Sequence, residues 1–151
     1  MGGEAGSSPL GARFAGLEGK WRLERHSSDG SLFSGSAAFS RLDESVYLLR
    51  EEGTLRLPGG ETLSARREWT WHLALPDEIE IRYPQEAGGG LYHRFRPRAD
   101  AGAWTGEAEH LCGRDIYCAA YRLDDGELAI DHVVRGPAKN YVLKARYRRV
   151  A

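Results

Sequence analysis

Beyond Gly19 the chain alternates apolar and polar residues in short runs, as in Trp21, Leu23 and Arg25 against Arg22, Glu24 and His26, and it never keeps a helical period. Alternation with period two marks a strand buried on one face. The pattern predicts strands at residues 20–27, 31–42, 46–57, 62–73, 78–83, 91–96, 104–112, 115–124, 127–135 and 139–149. Only the segment 9–17 reads otherwise. There Leu10, Phe14 and Leu17 recur at spacings of four and three, which predicts a short helical turn with one apolar side, placed as a lid over one end. The connectors Ser28-Asp29-Gly30, Pro58-Gly59-Gly60, Pro76-Asp77, Glu86 to Gly90 and Asp100-Ala101-Gly102 have turn compositions, and none is long enough for a crossover helix. The sheet is therefore expected to be antiparallel. A twisted meander of this length removes its exposed edges by closing, so the fold class is all-β, an antiparallel up-and-down β-barrel of about ten strands with a short N-terminal helical turn.

The most specific expectation lies between His110 and Arg149. Asp125-Gly126 is a strong two-residue hairpin signal, with Gly113-Arg114 and Gly136-Pro137 as weaker ones. Reading all three as two-residue loops sets Tyr121 opposite Ile130, Ala119 opposite His132 and Tyr117 opposite Val134. The same register sets His110 opposite Tyr117, Cys112 opposite Asp115, Lys139 opposite Val134 and Tyr141 opposite His132. These side chains share one face. That face is apolar at one end (Leu123, Leu128, Ile130, Leu143) and ionisable at the other (His110, Asp115, Tyr117, Lys139, Tyr141), while Arg122, Asp124, Glu127, Asp131, Arg135, Lys144, Arg146 and Arg148 face solvent. Such a face describes a pocket.

At 151 residues the chain suits one domain, read as a mobile tail over residues 1–11 and a single barrel over 12–151. A formal net charge of -1 argues against nucleic-acid or anionic-membrane partners. The N-terminal sequence lacks the basic start and apolar stretch of a signal peptide, so a cytoplasmic location is expected. Cys112 and Cys118 point to opposite faces in this register, which argues against a bridge between them.

Gly19-Lys20-Trp21 at the start of the first strand resembles the Gly-x-Trp signature of lipocalins and their calycin relatives. The resemblance implies that Trp21 plugs the closed end under a basic side chain from the last strand, here Arg146 or Arg148. A fuller set resembles an uncharacterised calycin-like bacterial domain family of unknown function: Gly19-x-Trp21, Glu51-x-Gly53, Ala65-x-Arg67-x-Trp69-x-Trp71, His93, His110-x-Cys112-x-x-Asp115-x-Tyr117 and Gly136-Pro137-x-Lys139-x-Tyr141. It implies a fold and carries no chemistry.

Residues 62–73 can face inward only through Ala65, Arg67, Trp69 and Trp71, which places an arginine inside the barrel. An interior arginine needs an anion, either Glu51 as a structural pair or a ligand. Arg25, on the face of Trp21 and Leu23, poses the same question near the mouth. His93, with Leu91 and Phe95, faces inward, as do His110 and His132. Three inward histidines invite a metal or haem, but His110 and His132 lie two strand spacings, ~9.6 Å, apart, and no HxH or CxxC spacing is present. Neutral histidines hydrogen-bonded to tyrosine or to Asp115 are the simpler reading, and no metal or cofactor is expected. Cys112 reads as a small apolar filler, with a thiolate nucleophile beside His110 as the alternative.

The function that follows is binding of a small, largely apolar molecule with an anionic or carbonyl end, through Arg25, Glu51, Arg67, Trp69, His93, His132, Lys139 and Tyr141. The alternative is an enzyme of isomerase, cyclase or hydrolase type, with His110 or Asp115 as base and Tyr117, Tyr141 or Lys139 stabilising an oxyanion. A small-molecule ligand is the only partner expected, and the sequence leaves the oligomeric state open. A purely structural interaction module would not explain so many inward ionisable groups.

Overall fold

The computed structural model describes residues 9–137 and 139–150, apart from the side chains of Pro9 and Cys112. A helix, α1 (Pro9–Ala15), precedes eleven strands: β1 (Gly19–Ser27), β2 (Leu32–Asp43), β3 (Val46–Arg56), β4 (Thr62–Leu75), β5 (Glu78–Arg82), β6 (Leu91–Phe95), β7 (Arg98–Asp100), β8 (Ala103–Cys112), β9 (Asp115–Leu123), β10 (Glu127–Arg135) and β11 (Asn140–Arg149). They form one antiparallel sheet in the order β6-β5-β4-β3-β2-β1-β11-β10-β9-β8-β7. The strand beyond the ten expected, β7, is a three-residue return that pairs only with the start of β8. Residues 1–8 of the expected tail lie outside the described residues, and its last three, 9–11, belong to α1.

The sheet curls into a barrel because β1 pairs with both β2 and β11, joining the two halves of the meander. The far seam is made by side-chain packing of β6 against β8 rather than by a ladder. Gly106 of β8 permits that approach: a Cβ there would sit 2.5 Å from the Phe95 ring of β6.

Inward positions form a continuous core. At the closed end Leu10, Phe14 and Leu17, all buried, bring α1 across the barrel, and the rings of Phe14 and Tyr47 stack at 5.2 Å. Trp21 is 1% exposed and donates its indole N–H to the Leu17 carbonyl at 2.9 Å. The arginine over its ring is Arg149, 4.2 Å from the ring centroid, and not Arg146 or Arg148. The register explains this correction: Trp21 pairs with Arg149, so an odd-numbered residue of β11 shares its face, while Arg146 lies outside, bonded to Asp131 at 2.6 Å.

The register expected across Asp125-Gly126 and Gly113-Arg114 is present, with Tyr121 opposite Ile130, Ala119 opposite His132, Tyr117 opposite Val134, His110 opposite Tyr117 and Cys112 opposite Asp115. The Gly136-Pro137 turn is two residues longer than expected. Val134 pairs with Tyr141 and His132 with Leu143, leaving Lys139 in the turn rather than on the strand. A slip of two leaves every side chain on its face, so Tyr141 and Leu143 still point inward. Cys118 is a free thiol.

Two local departures shape the interior. Gly35 and Gly53 oppose each other on β2 and β3, and a Cβ on Gly35 would sit 2.6 Å from the Gly53 Cα, so the strands cross more closely there than any side chain allows. On β6 a bulge shifts the pairing from Ile81 with His93 to Arg82 with Leu91, leaving Tyr92 as the extra residue. Among the described residues no helix is long and apolar enough to cross a membrane.

Candidate functional site

Midway up the barrel, Glu51 of β3 is 1% exposed and carries three donors. Arg25 Nη2 of β1 donates to Glu51 Oε1 at 2.9 Å, and Arg67 Nε of β4 donates to the same oxygen at 3.0 Å. The Tyr147 hydroxyl of β11 donates to Oε2, and Arg25 Nη2 also donates to the Tyr147 oxygen at 3.2 Å. Pairing Glu51 with Arg67 follows from the register, since the two are direct cross-strand partners. Burial works to raise the Glu51 carboxyl, but the Arg25 and Arg67 charges and the Tyr147 hydrogen bond outweigh it and hold it below the ordinary carboxylate range. Burial opposes the charge on Arg25 in the same way, and Tyr147 and Glu51 more than restore it. Burial and the adjoining carboxylate drive the Tyr147 hydroxyl upward, so it stays protonated. Two cations and one anion leave the group with one net positive charge.

Beside this group lies a layer of aromatic rings and histidines. The bulge turns Tyr92 inward next to His93, with ring centroids 3.9 Å apart, and Trp69 stacks on its other side at 4.6 Å. The Tyr92 hydroxyl lies 3.2 Å from His132 Nε2, and the Tyr121 hydroxyl is bonded to His93 Nδ1. His93 and His132 face each other with centroids at 5.9 Å. Burial, with smaller contributions from His132 and His110, lowers His93 to about 3. Burial, then the Arg67 and Arg25 charges, lowers His132 to about 4. Both are neutral at pH 7. Burial raises Tyr92 to about 12 and Tyr121 well above its ordinary value. Three buried polar atoms have no hydrogen-bond partner among the described residues: Arg25 Nε, His93 Nε2 and His132 Nδ1.

Two cavities meet at Arg25, Glu51 and Arg67, which line both. The inner one, about 30 Å³, is bounded by Trp69, Trp71, Tyr92, Tyr121, His132 and Tyr147 among others. The outer one, about 240 Å³, is walled by Phe33, Leu55, Ala65 and Leu143, with Ser27 and Ser31 toward the mouth. Arg67 stands between them with its side chain 46% exposed, its guanidinium 5.3 Å from the Trp69 ring centroid.

Of the residues expected in the site, Arg25, Glu51, Arg67, Trp69 and His132 line these cavities, and His93 is buried behind Tyr92. His110 sits on the same layer, its ring 5.6 Å from Tyr92 and 6.2 Å from Tyr117. Asp115, Tyr117, Lys139 and Tyr141 form a separate group at the rim and line neither cavity. Lys139 is exposed and donates from Nζ to the Tyr117 hydroxyl at 3.1 Å, a bond that raises its pKa. The Asp115 carboxylate lies against Gly136, where a Cβ would come within 1.7 Å of Oδ1. Among the described residues no group of three or more His, Cys, Asp and Glu side chains converges as a metal site would require.

Two residues central to the site were absent from the expected set, Tyr92 and Tyr147. Tyr147 was within reach, since alternation from Tyr141 through Leu143 and Ala145 leads to it. Tyr92 was not, because strict alternation places it outside and only the bulge brings it in.

The profile of a family of unknown function, DUF6314, matches residues 17–149 of the chain. No curated protein matches the sequence. Among solved structures, Rv2717c from M. tuberculosis is similar with a TM-score of 0.65 and 13% identity, covering 95% of this chain and 99% of that one. EF1p2_mFAP2b bound to DFHBI is similar with a TM-score of 0.52 and 15% identity over 92% and 98% of the two chains. The redesigned beta barrel mFAP1 bound to DFHBI follows with 0.50 and 12% identity over 91% and 98%. At these identities the likeness shows the β-barrel fold alone.

Proposed function

As this chain belongs to DUF6314, a family of unknown function, we propose its function from the site: a barrel that binds one small, largely apolar molecule with an anionic or carbonyl end. The observation that carries the reading is an apolar cavity of about 240 Å³ ending on the buried Arg25–Glu51–Arg67 group, with the Arg25 Nε–H left without a partner. Burying the Arg25 guanidinium is costly and Glu51 offsets it, while the half-exposed Arg67 is a second cation on the same carboxylate oxygen that a plain structural pair would not need. The second cation and the free N–H are what a ligand's polar end would use. The two similar barrels whose structures hold DFHBI support the idea that an interior of this architecture takes a small molecule. Trp21 under Arg149 at the closed end supports the lipocalin-like character of the same reading. The cytoplasmic location expected from the sequence belongs to this proposal too, as does the absence of nucleic-acid and membrane partners.

Native mass spectrometry of the protein purified from its own host tests for a retained small molecule, and calorimetric titration with bicyclic aromatics of matched size tests the cavity directly. Saturable binding in the native protein, lost in Ala65→Trp, which fills the outer cavity, is the expected result. No adduct and no heat with any of these compounds would remove the reading.

The enzyme reading rests on different residues. The Lys139 to Tyr117 hydrogen bond, near His110 and Asp115, is the feature that favours it, since an ammonium beside a phenol is suited to hold a developing oxyanion. Turnover of a bound compound that disappears in Tyr117→Phe, with binding retained, would establish it.

A further inference from the structure

We infer that the inner cavity is an anion subsite, and that the ligand presents to it a single carboxylate, with no hydrogen of its own to donate, between Arg25, Arg67 and His132. This rests on the binding reading above and narrows its anionic or carbonyl end to one chemistry.

The inference follows from the direction of two protons. Tyr92, partly buried and protonated, has one hydrogen-bond partner among the described residues, the Nε2 of His132. Donation by its O–H leaves only the Nδ1 of the ring unpaired, where the reverse direction would leave both the phenol hydrogen and Nδ1 unpaired, and so the remaining imidazole proton is assigned to Nδ1. The same reasoning at Tyr121 makes His93 Nδ1 the acceptor and Nε2 the N–H. The three partnerless buried atoms are then all donors: Arg25 Nε–H, His132 Nδ1–H and His93 Nε2–H. No acceptor is left over with them. Arg25 and His132 line the inner cavity, and Arg67 adds a second guanidinium there. A hydroxyl or amide would satisfy these donors while bringing hydrogens of its own into a layer whose carboxylate already receives three hydrogen bonds. A carboxylate brings acceptors only. Its charge also cancels the single positive charge left by Arg25, Glu51 and Arg67, where a second anion would be excess. The inner cavity is the smaller of the two, about 30 Å³ against about 240 Å³, so the body of the molecule lies in the outer cavity across the shared arginines.

Titration of the full chain with 2-naphthoate, 2-naphthamide and 2-naphthalenemethanol, paired with ¹⁵N NMR of the histidines, tests this. The expected result is naphthoate binding at least about tenfold more tightly than either neutral compound, and His132 as the Nδ1–H tautomer. In Arg67→Met, a change at a half-exposed position that leaves Arg25 on Glu51, naphthoate should lose at least about tenfold while the amide changes little. Equal affinity for all three compounds would overturn the anion subsite and leave the binding reading standing. An Nε2–H tautomer at His132 would overturn it independently of any ligand. No binding of any of the three would remove the binding reading and the subsite with it.

Discussion

Arg149 and Trp21 face each other across the β1–β11 ladder, the guanidinium 4.2 Å from the indole centroid, and the same arginine donates to the Glu18 carbonyl at 3.1 Å. One side chain thus caps the plug of the barrel and ties down the segment that leads into it. Trp21→Ala should destabilise the protein by about 3–5 kcal/mol, as deletion of a buried large aromatic does. Arg149→Ala should cost about 0.5–1 kcal/mol, the range of a surface cation–π contact. Urea unfolding of both variants checks this, and a Trp21→Ala protein as stable as the parent would show that the closed end is not held by the indole.

Glu51 is the only carboxylate among Arg25, Arg67 and Tyr147, so its loss leaves Arg25 charged and poorly paired in the interior. Glu51→Gln should cost about 3–5 kcal/mol at neutral pH. Because the folded pKa of Glu51 lies below its ordinary value, the stability it contributes is fully present above the ordinary carboxylate range and is lost as pH falls through the folded pKa. The gap between the native protein and Glu51→Gln should therefore close below roughly pH 4. A gap of the same size at pH 7 and pH 3.5 would mean that folding does not lower the Glu51 pKa, and a gap that widens toward pH 3.5 would mean that the carboxyl is protonated in the fold.

The histidines act in a higher window. An unfolded histidine titrates near 6.5, whereas His93 and His132 are lowered to about 3 and about 4 in the fold. The unfolded chain binds more protons between these values, so stability is complete above pH 6.5 and falls toward pH 4, with a slope of roughly 1.4 kcal/mol per pH unit for each histidine. His72, lowered by burial, acts in the same direction. Chemical denaturation at half-unit steps from pH 7 to 4.5 measures the slope, which should be shallower in His132→Phe. A flat profile above pH 5 would place the two rings in water.

At the crossing of β2 and β3, a Cβ on Gly35 would lie 2.0 Å from the Glu52 carbonyl oxygen. Backbone on both sides cannot move aside as a flexible side chain can, so Gly35→Ala should cost about 2–3 kcal/mol. Gly126→Ala, with nothing within 4 Å of its Cβ, should fall within about 0.5 kcal/mol of the parent. Thermal unfolding of the pair decides it, and equal effects would show that the strands separate at little cost.

Much of this was legible in the chain because a strand's side-chain period is two and turn chemistry is local. The run from His110 to Arg149 specified which residues face inward, and even the two extra residues of the Gly136 turn left those faces unchanged, since only an odd slip reverses them. The Glu51 to Arg67 pair was legible for the same reason. What the tertiary structure alone decided depends on contacts between distant strands. The β6 bulge that turns Tyr92 inward has no residue signature, because Tyr92 alternates correctly until its ladder with β5 slips. The meeting of Arg25 and Tyr147 over one carboxylate depends on barrel curvature, which brings β1, β3 and β11 together around an axis no single hairpin defines. Lys139 was expected on the last strand and stands in the turn before it, because that turn is two residues longer than its composition signalled, and from there its Nζ meets the Tyr117 hydroxyl.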